Sequence, residues 1–263
     1  MKSRKIPMTA EEFQLAEFPF GWKVEYCDGF AYYTPRSHGV LMKTAVAPQA
    51  VKARIEIQPI FSVTFEDLCE LFYAAFADSV EFCDYPKNEI KISAQRNLKD
   101  FFNGERGIPQ AQFCRAAIVP KRKKSLVGTC LISKYKYGFK NEILFVRPQF
   151  QGKGIGTALV SSVINDLYAA GENCFWSEYH ICNRQSANWH RKFGFTEEPD
   201  IMTAKFRFRF LQKEVWRNEQ FGKAKKIKEL KPLLKKAAAE VERLKEIEKK
   251  DFDAAWLKWK YDY

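Results

Sequence analysis

Residues 144–160 constrain this chain more than any other stretch. An apolar run, a proline, three alternating glycines and a helical pattern follow one another there. Ile143, Leu144, Phe145 and Val146 combine β-branched and aromatic side chains, which predicts a buried strand. Pro148 has no N–H for a sheet ladder, so the strand should stop before it. From Thr157 onward, Leu159, Val160, Val163, Ile164 and Leu167 recur at helical spacing. Gly152, Gly154 and Gly156 lie between the two elements. Glycines at such a turn let a ligand approach the backbone closely, with amides pointing outward. The helix N-terminus just beyond adds orphan N–H groups and a positive dipole end. Strand, turn and helix together predict a phosphate cradle. No Gly-Lys-Ser/Thr follows four spacer residues, so this is not a Walker loop. Counted from Gly152, the last glycine of a dinucleotide fingerprint would fall on Thr157.

The run resembles motif A of the GNAT acetyltransferase family, Val-x-Pro-x-x-Gln/Arg-x-x-Gly-x-Gly/Ala. Val146, Pro148, Gln151, Gly154 and Gly156 fill every position. A second stretch, 183–195, resembles motif B of the same family through Asn183, Lys192, Gly194 and Phe195. Ser186 and Trp189 stand in its Ala and Leu places, and His190 where the family has tyrosine. The resemblance covers roughly residues 53–210. It implies an α+β, three-layer GNAT fold whose mixed, mostly antiparallel sheet splays at the acyl-CoA site. It also implies acetyl-CoA as co-substrate and no metal. Amides of Gln151, Gly152, Lys153, Gly154, Ile155, Gly156 and Thr157 would hold the pyrophosphate, with Lys153 adding charge. Backbone groups around Phe145, Val146 and Arg147 would bind the pantetheine, a strand amide near Phe145 facing the thioester oxygen. Asn183 would touch the CoA arm.

His190 carries two readings. Histidine can donate a proton, with an ordinary pKa near 6.5, so it is a candidate general acid for the departing thiolate. It can equally fill its helix and hydrogen-bond CoA. For a base, Glu142 is the candidate and Glu178 the alternative; both also read as surface carboxylates at strand ends.

The remaining sequence predicts how the domain is framed. Residues 1–52 form an extension with a hairpin: two aromatic-rich strand patterns flank Cys27-Asp28-Gly29, and Asp-Gly is a strong hairpin signal. His38 reads as a loop histidine. Residues 53–211 form the acetyltransferase domain. It starts with a strand over 53–60 and a helix opened by the capping pattern Thr64-Phe65-Glu66-Asp67. A second helix is expected over 89–102, then strands over 112–119 and 126–134 joined by a basic loop. Another strand is expected over 173–179. The alternation of Phe206, Phe208 and Phe210 with Lys205, Arg207 and Arg209 predicts a last strand over 202–211. Residues 212–263 form a charged helical extension. Ile227, Leu230, Leu234, Ala237, Val241 and Leu244 make its stripe, with a break near Lys231 before Pro232. That helix should lie on the protein's own surface or on a second copy as a homodimer, packed down by Trp256 and Trp259.

The net charge of +12 favours acidic partners, CoA phosphates among them. No nucleic-acid motif accompanies it, so nucleic acid is not the expected partner. No stretch is apolar enough to span a bilayer, and no signal-peptide core follows the basic N-terminus. Seven cysteines, with no Cys-x-x-Cys pair, read as reduced thiols in a cytoplasm. Two functions follow as expectations. One is an acetyl-CoA-dependent N-acetyltransferase, in which a primary amine attacks directly in a ternary complex. The other is a non-catalytic acyl-CoA-binding module whose extensions bind partners.

Overall fold

The computed structural model describes residues 4–52, 55–83, 85–119 and 125–261, with side chains up to 251. The basic loop at 120–124, the expected strand start at Ala53 and Arg54, and the side chains of Trp256 and Trp259 lie outside the described residues.

Eleven strands and seven helices follow in chain order among the described residues. They are β1 (Arg4–Pro7), α1 (Ala10–Leu15), β2 (Trp22–Cys27), β3 (Phe30–Pro35), β4 (Gly39–Ala45), β5 (Glu56–Pro59), α2 (Phe65–Phe76) and α3 (Lys87–Phe102). Then come β6 (Ile108–Pro109), β7 (Arg115–Val119), β8 (Ser125–Tyr135), β9 (Gly138–Val146), α4 (Ile155–Ala169) and β10 (Cys174–His180). The series ends with α5 (Arg184–Phe193), β11 (Thr196–Glu197), α6 (Ile201–Gln220) and α7 (Ala224–Tyr261).

The hairpin at Asp28-Gly29 forms as its sequence dictates: both residues take positive φ, 48° and 77°, which a tight hairpin turn needs. β1, β3 and β2 make a three-stranded sheet in that order. The main sheet runs β11-β4-β10-β9-β8-β7-β5, with β6 beside β8. β9 and β10 pair in parallel, and the other neighbours are antiparallel. β4 comes from the segment expected as an extension, yet it lies inside this sheet. Its register with β10 runs from Ala45 opposite Cys174 to Gly39 opposite His180. Val40 and Met42 are buried there.

α2 opens at Thr64, whose hydroxyl accepts from the Asp67 amide at 3.1 Å. It buries Leu68, Leu71 and Phe72, while α3 buries Ile90, Ala94, Leu98 and Phe101. α4 buries Ile155, Leu159, Val160, Val163, Ile164 and Leu167, so the helical reading of that stretch is right. The strand expected over 112–119 begins later, at Arg115, because residues 111–113 form a 3-10 turn.

The chain divides into two compact units: Tyr33–Glu197 with Met1–Lys5, and Glu198–Tyr263 with Ile6–Tyr32. In the second unit the sequence reading is overturned. Residues 202–211, expected as a strand, belong to α6. Asp200 caps that helix, accepting from the Thr203 amide at 2.6 Å. Ala204, Leu211 and Val215 are buried at helical spacing. Phe208 packs with Leu211 and Val215 against Leu230 and Ala237 of α7. Phe210 also meets Phe20 edge-on at 5.5 Å. A helix covered on two sides presents apolar residues around much of its circumference, which mimics strand alternation over a short window.

The stripe on α7 is real, and its partner is α6 of the same chain. Leu230 and Ala237 join Leu211 and Val215, and Val241 and Leu244 join Ala204. No break occurs near Lys231, for α7 runs through Pro232.

Candidate active site

β9 and β10 pair over three residues only, from Phe139 opposite Phe175 to Asn141 opposite Ser177. Beyond that point the two strands part, leaving a fork with Asn141 and Ser177 at its apex. β8 and β9 lose register between Leu131 and Ile132: Leu131 faces Ile143, but Ile132 faces Asn141. Glu142 is the extra residue of a β-bulge, and a bulge turns the following side chains to the other face. Phe145 therefore points to α2, meeting Phe72 at 5.5 Å and Phe76 at 5.9 Å. Leu144 and Val146 turn towards α4, where a Cβ on Gly156 would touch both.

The same register decides which backbone groups face the gap. The Arg147 amide donates to the Val127 carbonyl at 2.8 Å, towards β8. Hydrogen bonding alternates along a strand, so the Phe145 amide also faces β8. The amides free to face the fork are those of Leu144 and Val146, not those of Phe145 and Arg147. The Val146 carbonyl already accepts from the Gln151 side chain at 2.9 Å. Gln151 therefore shapes the loop by tying it back to the strand.

The glycine loop is a built cradle. Gly152 and Gly154 take φ of +72° and +79°, and a Cβ on either would meet open space. These conformations, more than crowding, are what exclude other residues. Gly154 is the N-cap of α4, so the amides of Ile155, Gly156 and Thr157 have no intrahelical acceptor. Thr157 accepts from the Trp189 indole at 3.1 Å, which ties the start of α4 to α5. The Lys153 ammonium lies 5.4 Å over the Phe150 ring, at the edge of the loop. An anion with several oxygens fits such an array of amides and dipole.

α5 is capped by Asn183, whose Oδ1 accepts from the Ser186 amide at 3.0 Å. Its Nδ2 donates to Glu81 at 2.8 Å. Both polar ends of the Asn183 side chain are thus engaged within the protein.

His190 is 2% exposed. Its Nδ1 lies 2.8 Å from the Ser186 carbonyl, which can only accept, so Nδ1 carries the proton. Nε2 then accepts from the Ser177 hydroxyl at 2.8 Å. Ser177 in turn accepts from Asn141 Nδ2 at 3.2 Å, and Asn141 Oδ1 accepts from the Cys130 thiol at 3.3 Å. Burial pushes the Cys130 thiol well above its usual pKa, so it stays a donor. Burial also lowers the His190 pKa, with the Ser186 carbonyl opposing more weakly. At neutral pH this arrangement favours the neutral imidazole, with the proton on Nδ1 and the ring buried. The acid role expected of it is not one this arrangement supplies. Its place is the end of a buried chain that links β8, β9, β10 and α5 across the apex of the fork.

Glu142, the expected base, is likewise occupied. It accepts from the Tyr135 hydroxyl at 2.9 Å and lies 3.3 Å from Lys140 and 3.8 Å from Arg106. Lys140 also meets Glu178 at 2.9 Å. Burial alone would lower the Lys140 pKa, but Glu142 and Glu178 outweigh it and hold the ammonium above its ordinary value. Tyr135 is pushed up to about 12, by burial first and then by Glu142. The Glu178 carboxylate lies against Gly39, where any Cβ would collide with it.

Sequence reading missed Leu144, Asn141, Ser177 and Glu81. A bulge and the end of a pairing leave no motif, and a serine on a strand looks like any other. Among the described residues no group of three metal-ligating side chains comes together, and no helix is long and apolar enough to cross a membrane.

Residues 114–197 match the model of the family described as acetyltransferase (GNAT) domain. No curated protein matches the sequence. Among solved structures, a Pyrococcus horikoshii protein is 18% identical, covering 56% of this chain and 92% of its own, with a TM-score of 0.44. A GCN5-related N-acetyltransferase from Sphaerobacter thermophilus is 16% identical, covering 74% and 55%, with a TM-score of 0.45. The PaiA N-acetyltransferase of Thermoplasma acidophilum, solved in complex with coenzyme A, is 16% identical over 56% and 93%, with a TM-score of 0.46.

Proposed function

We propose that this chain, which carries a GNAT acetyltransferase domain over residues 114–197, is an acetyl-CoA-dependent N-acetyltransferase. Acyl transfer is the chemistry of that domain; the amine acceptor and the direct attack are our reading. One observation carries it: a strand pair that parts at Asn141 and Ser177, with two unclaimed strand amides facing the gap and a glycine cradle beyond them. A phosphorylated arm can lie across the cradle while a linear chain enters the fork.

In this reading the amides of Ile155, Gly156 and Thr157, with those of Gly152 and Gly154, hold the phosphates. The Leu144 and Val146 amides orient the arm and its thioester carbonyl. Acetyl-CoA supplies the activated acetyl group, which passes to the amine nitrogen as the thiolate leaves. Amides fixed before the reaction need no reorganisation as charge develops on the carbonyl oxygen. His190 acts as a positioning residue through Ser177. Proton transfer falls to water in the fork, since His190 and Glu142 are both engaged. We assign this function to the unit bounded by β4 and β11, and retain α6 and α7 as a separate helical extension. Seven free thiols suit a reducing compartment, and we place the protein in the cytoplasm.

The engagement of both expected catalytic side chains also favours a second reading, a binding module without turnover. The test separates them: protein, acetyl-CoA and a panel of primary amines are mixed, and free CoA thiol is followed. Turnover with at least one amine supports the enzyme. Tight acetyl-CoA binding, with no thiol release above the rate in water for any amine, would sink it in favour of the module.

A further inference from the structure

The positive charge of this protein is gathered on one helical hairpin. Between Lys205 and Lys236 stand twelve lysines and arginines and three glutamates, a surplus of nine in a chain whose net charge is +12. Each of those glutamates is already taken. Glu214 pairs with Arg217 at 2.8 Å, Glu219 with Lys231 at 3.1 Å and Glu229 with Lys226 at 4.0 Å. Among the described residues no carboxylate lies within ion-pair distance of Lys205, Arg209 or Lys213 on α6, or of Lys225, Lys228 or Lys235 on α7.

The helical form of residues 202–211 is what lines these charges up. A strand there would set Lys205, Arg207 and Arg209 along one face. In α6, Arg207 drops out of line, and Lys205, Arg209 and Lys213 follow one another at spacings of four, one turn apart. Arg209 and Lys213 each stand two residues from Leu211, so they point away from the seam that Leu211 makes with α7. Trp216 continues the row three residues on and is 63% exposed. The row from Lys205 to Trp216 is about 16 Å long. On α7, Lys225, Lys228 and Lys235 are exposed and lie opposite the buried Leu230 and Ala237, which deepens the field around the hairpin.

We propose that this face of α6 binds single-stranded nucleic acid, with Lys205, Arg209 and Lys213 on successive phosphates and Trp216 stacked on a base. A row of unanswered cations matches a polyanion in charge, and an exposed indole at its end suits a base that is free to unstack. A bilayer fits less well. Leu211, Val215, Leu230, Ala237, Val241 and Leu244 are spent in the seam between the helices, which leaves no continuous apolar face to sink into lipid. The inference stands apart from the acetyltransferase reading, since it concerns a different unit of the chain and is read by binding alone.

Fluorescence anisotropy of the full-length protein with an oligo(U) of about 20 nucleotides, with its duplex and with phosphatidylserine vesicles tests it. Wild type should bind oligo(U) more tightly than duplex. The triple variant Lys205→Gln, Arg209→Gln, Lys213→Gln should weaken oligo(U) at least about 10-fold, and the slope of log K against log salt should become shallower by about 2. Trp216→Ala should weaken oligo(U) about 5- to 100-fold, leave the duplex unchanged and keep the slope. Lys245→Gln, Lys249→Gln, Lys250→Gln removes the same charge from the far part of α7 and should change oligo(U) binding less than about twofold. Unchanged oligo(U) binding in the α6 triple variant would overturn the proposal, and so would an equal loss in the α7 variant, which would reduce it to diffuse charge. Vesicle binding that is lost in the α6 variant while oligo(U) binding stays would assign the face to a membrane instead.

Discussion

Ser177 does more for this site than its size suggests. It accepts from Asn141 and donates to His190, and so joins the last paired residues of β9 and β10 to α5. Ser177→Ala should destabilise the protein by about 1–3 kcal/mol, because it leaves a buried donor and a buried acceptor unpaired. The histidine gives a pH signature with a definite sign. Burial lowers its pKa in the folded state, so the unfolded chain takes up the proton first as pH falls below the ordinary value near 6.5. The stabilisation is complete above that value and is lost as pH falls through the depressed folded pKa. His180 contributes in the same direction. Melting temperature should therefore drop between pH 7.5 and 5.5, and drop less in His190→Gln. An identical slope in the variant would show that His190 is not a buried neutral group.

At the scale of elements, α6 shows how a short pattern misleads. Three phenylalanines at alternate positions read as a strand, yet Asp200 starts a helix and α7 covers it. The cap was legible: an aspartate three residues before Thr203, with its side chain accepting from the amide of that third helical residue. Asp200→Ala should cost about 1 kcal/mol. Leu230→Ala, in the seam between α6 and α7, should cost about 2–5 kcal/mol through the cavity it leaves. Urea titrations of both variants check this order; a larger loss at Asp200 would mean that the cap, not the seam, holds the pair. The glycine loop is the opposite case. Its strand, proline stop and helix could be read residue by residue, because each rests on backbone geometry that local sequence controls.

For the whole molecule, net charge acts on every anion that approaches. A net charge of +12 draws anions towards the protein at long range. Acetyl-CoA should bind severalfold more weakly when ionic strength rises from about 0.05 to 0.5 M, since screening shortens the Debye length to a few ångströms. Calorimetry at the two salt levels reads this directly, and an unchanged affinity would confine recognition to the loop amides. Within the chain, α6 covers Leu230, Ala237, Val241 and Leu244 of the α7 stripe.

By itself the sequence determined the glycine loop, the helix behind it, the helix capped at Thr64, and the hairpin at Asp28-Gly29. All of these are local, set by backbone freedom, capping and periodicity within a few residues. Only the tertiary structure decided where β9 and β10 part, which amides the bulge at Glu142 turns into the gap, and that β4 lies inside the sheet. It also closed His190 into a buried chain through Asn141 and Ser177, matched Lys140 with Glu178, and tied Asn183 to Glu81. Those outcomes depend on register and on partners 36 to 102 residues apart in sequence. Pairing at that separation is fixed by which strands and helices come together, and no local pattern records it.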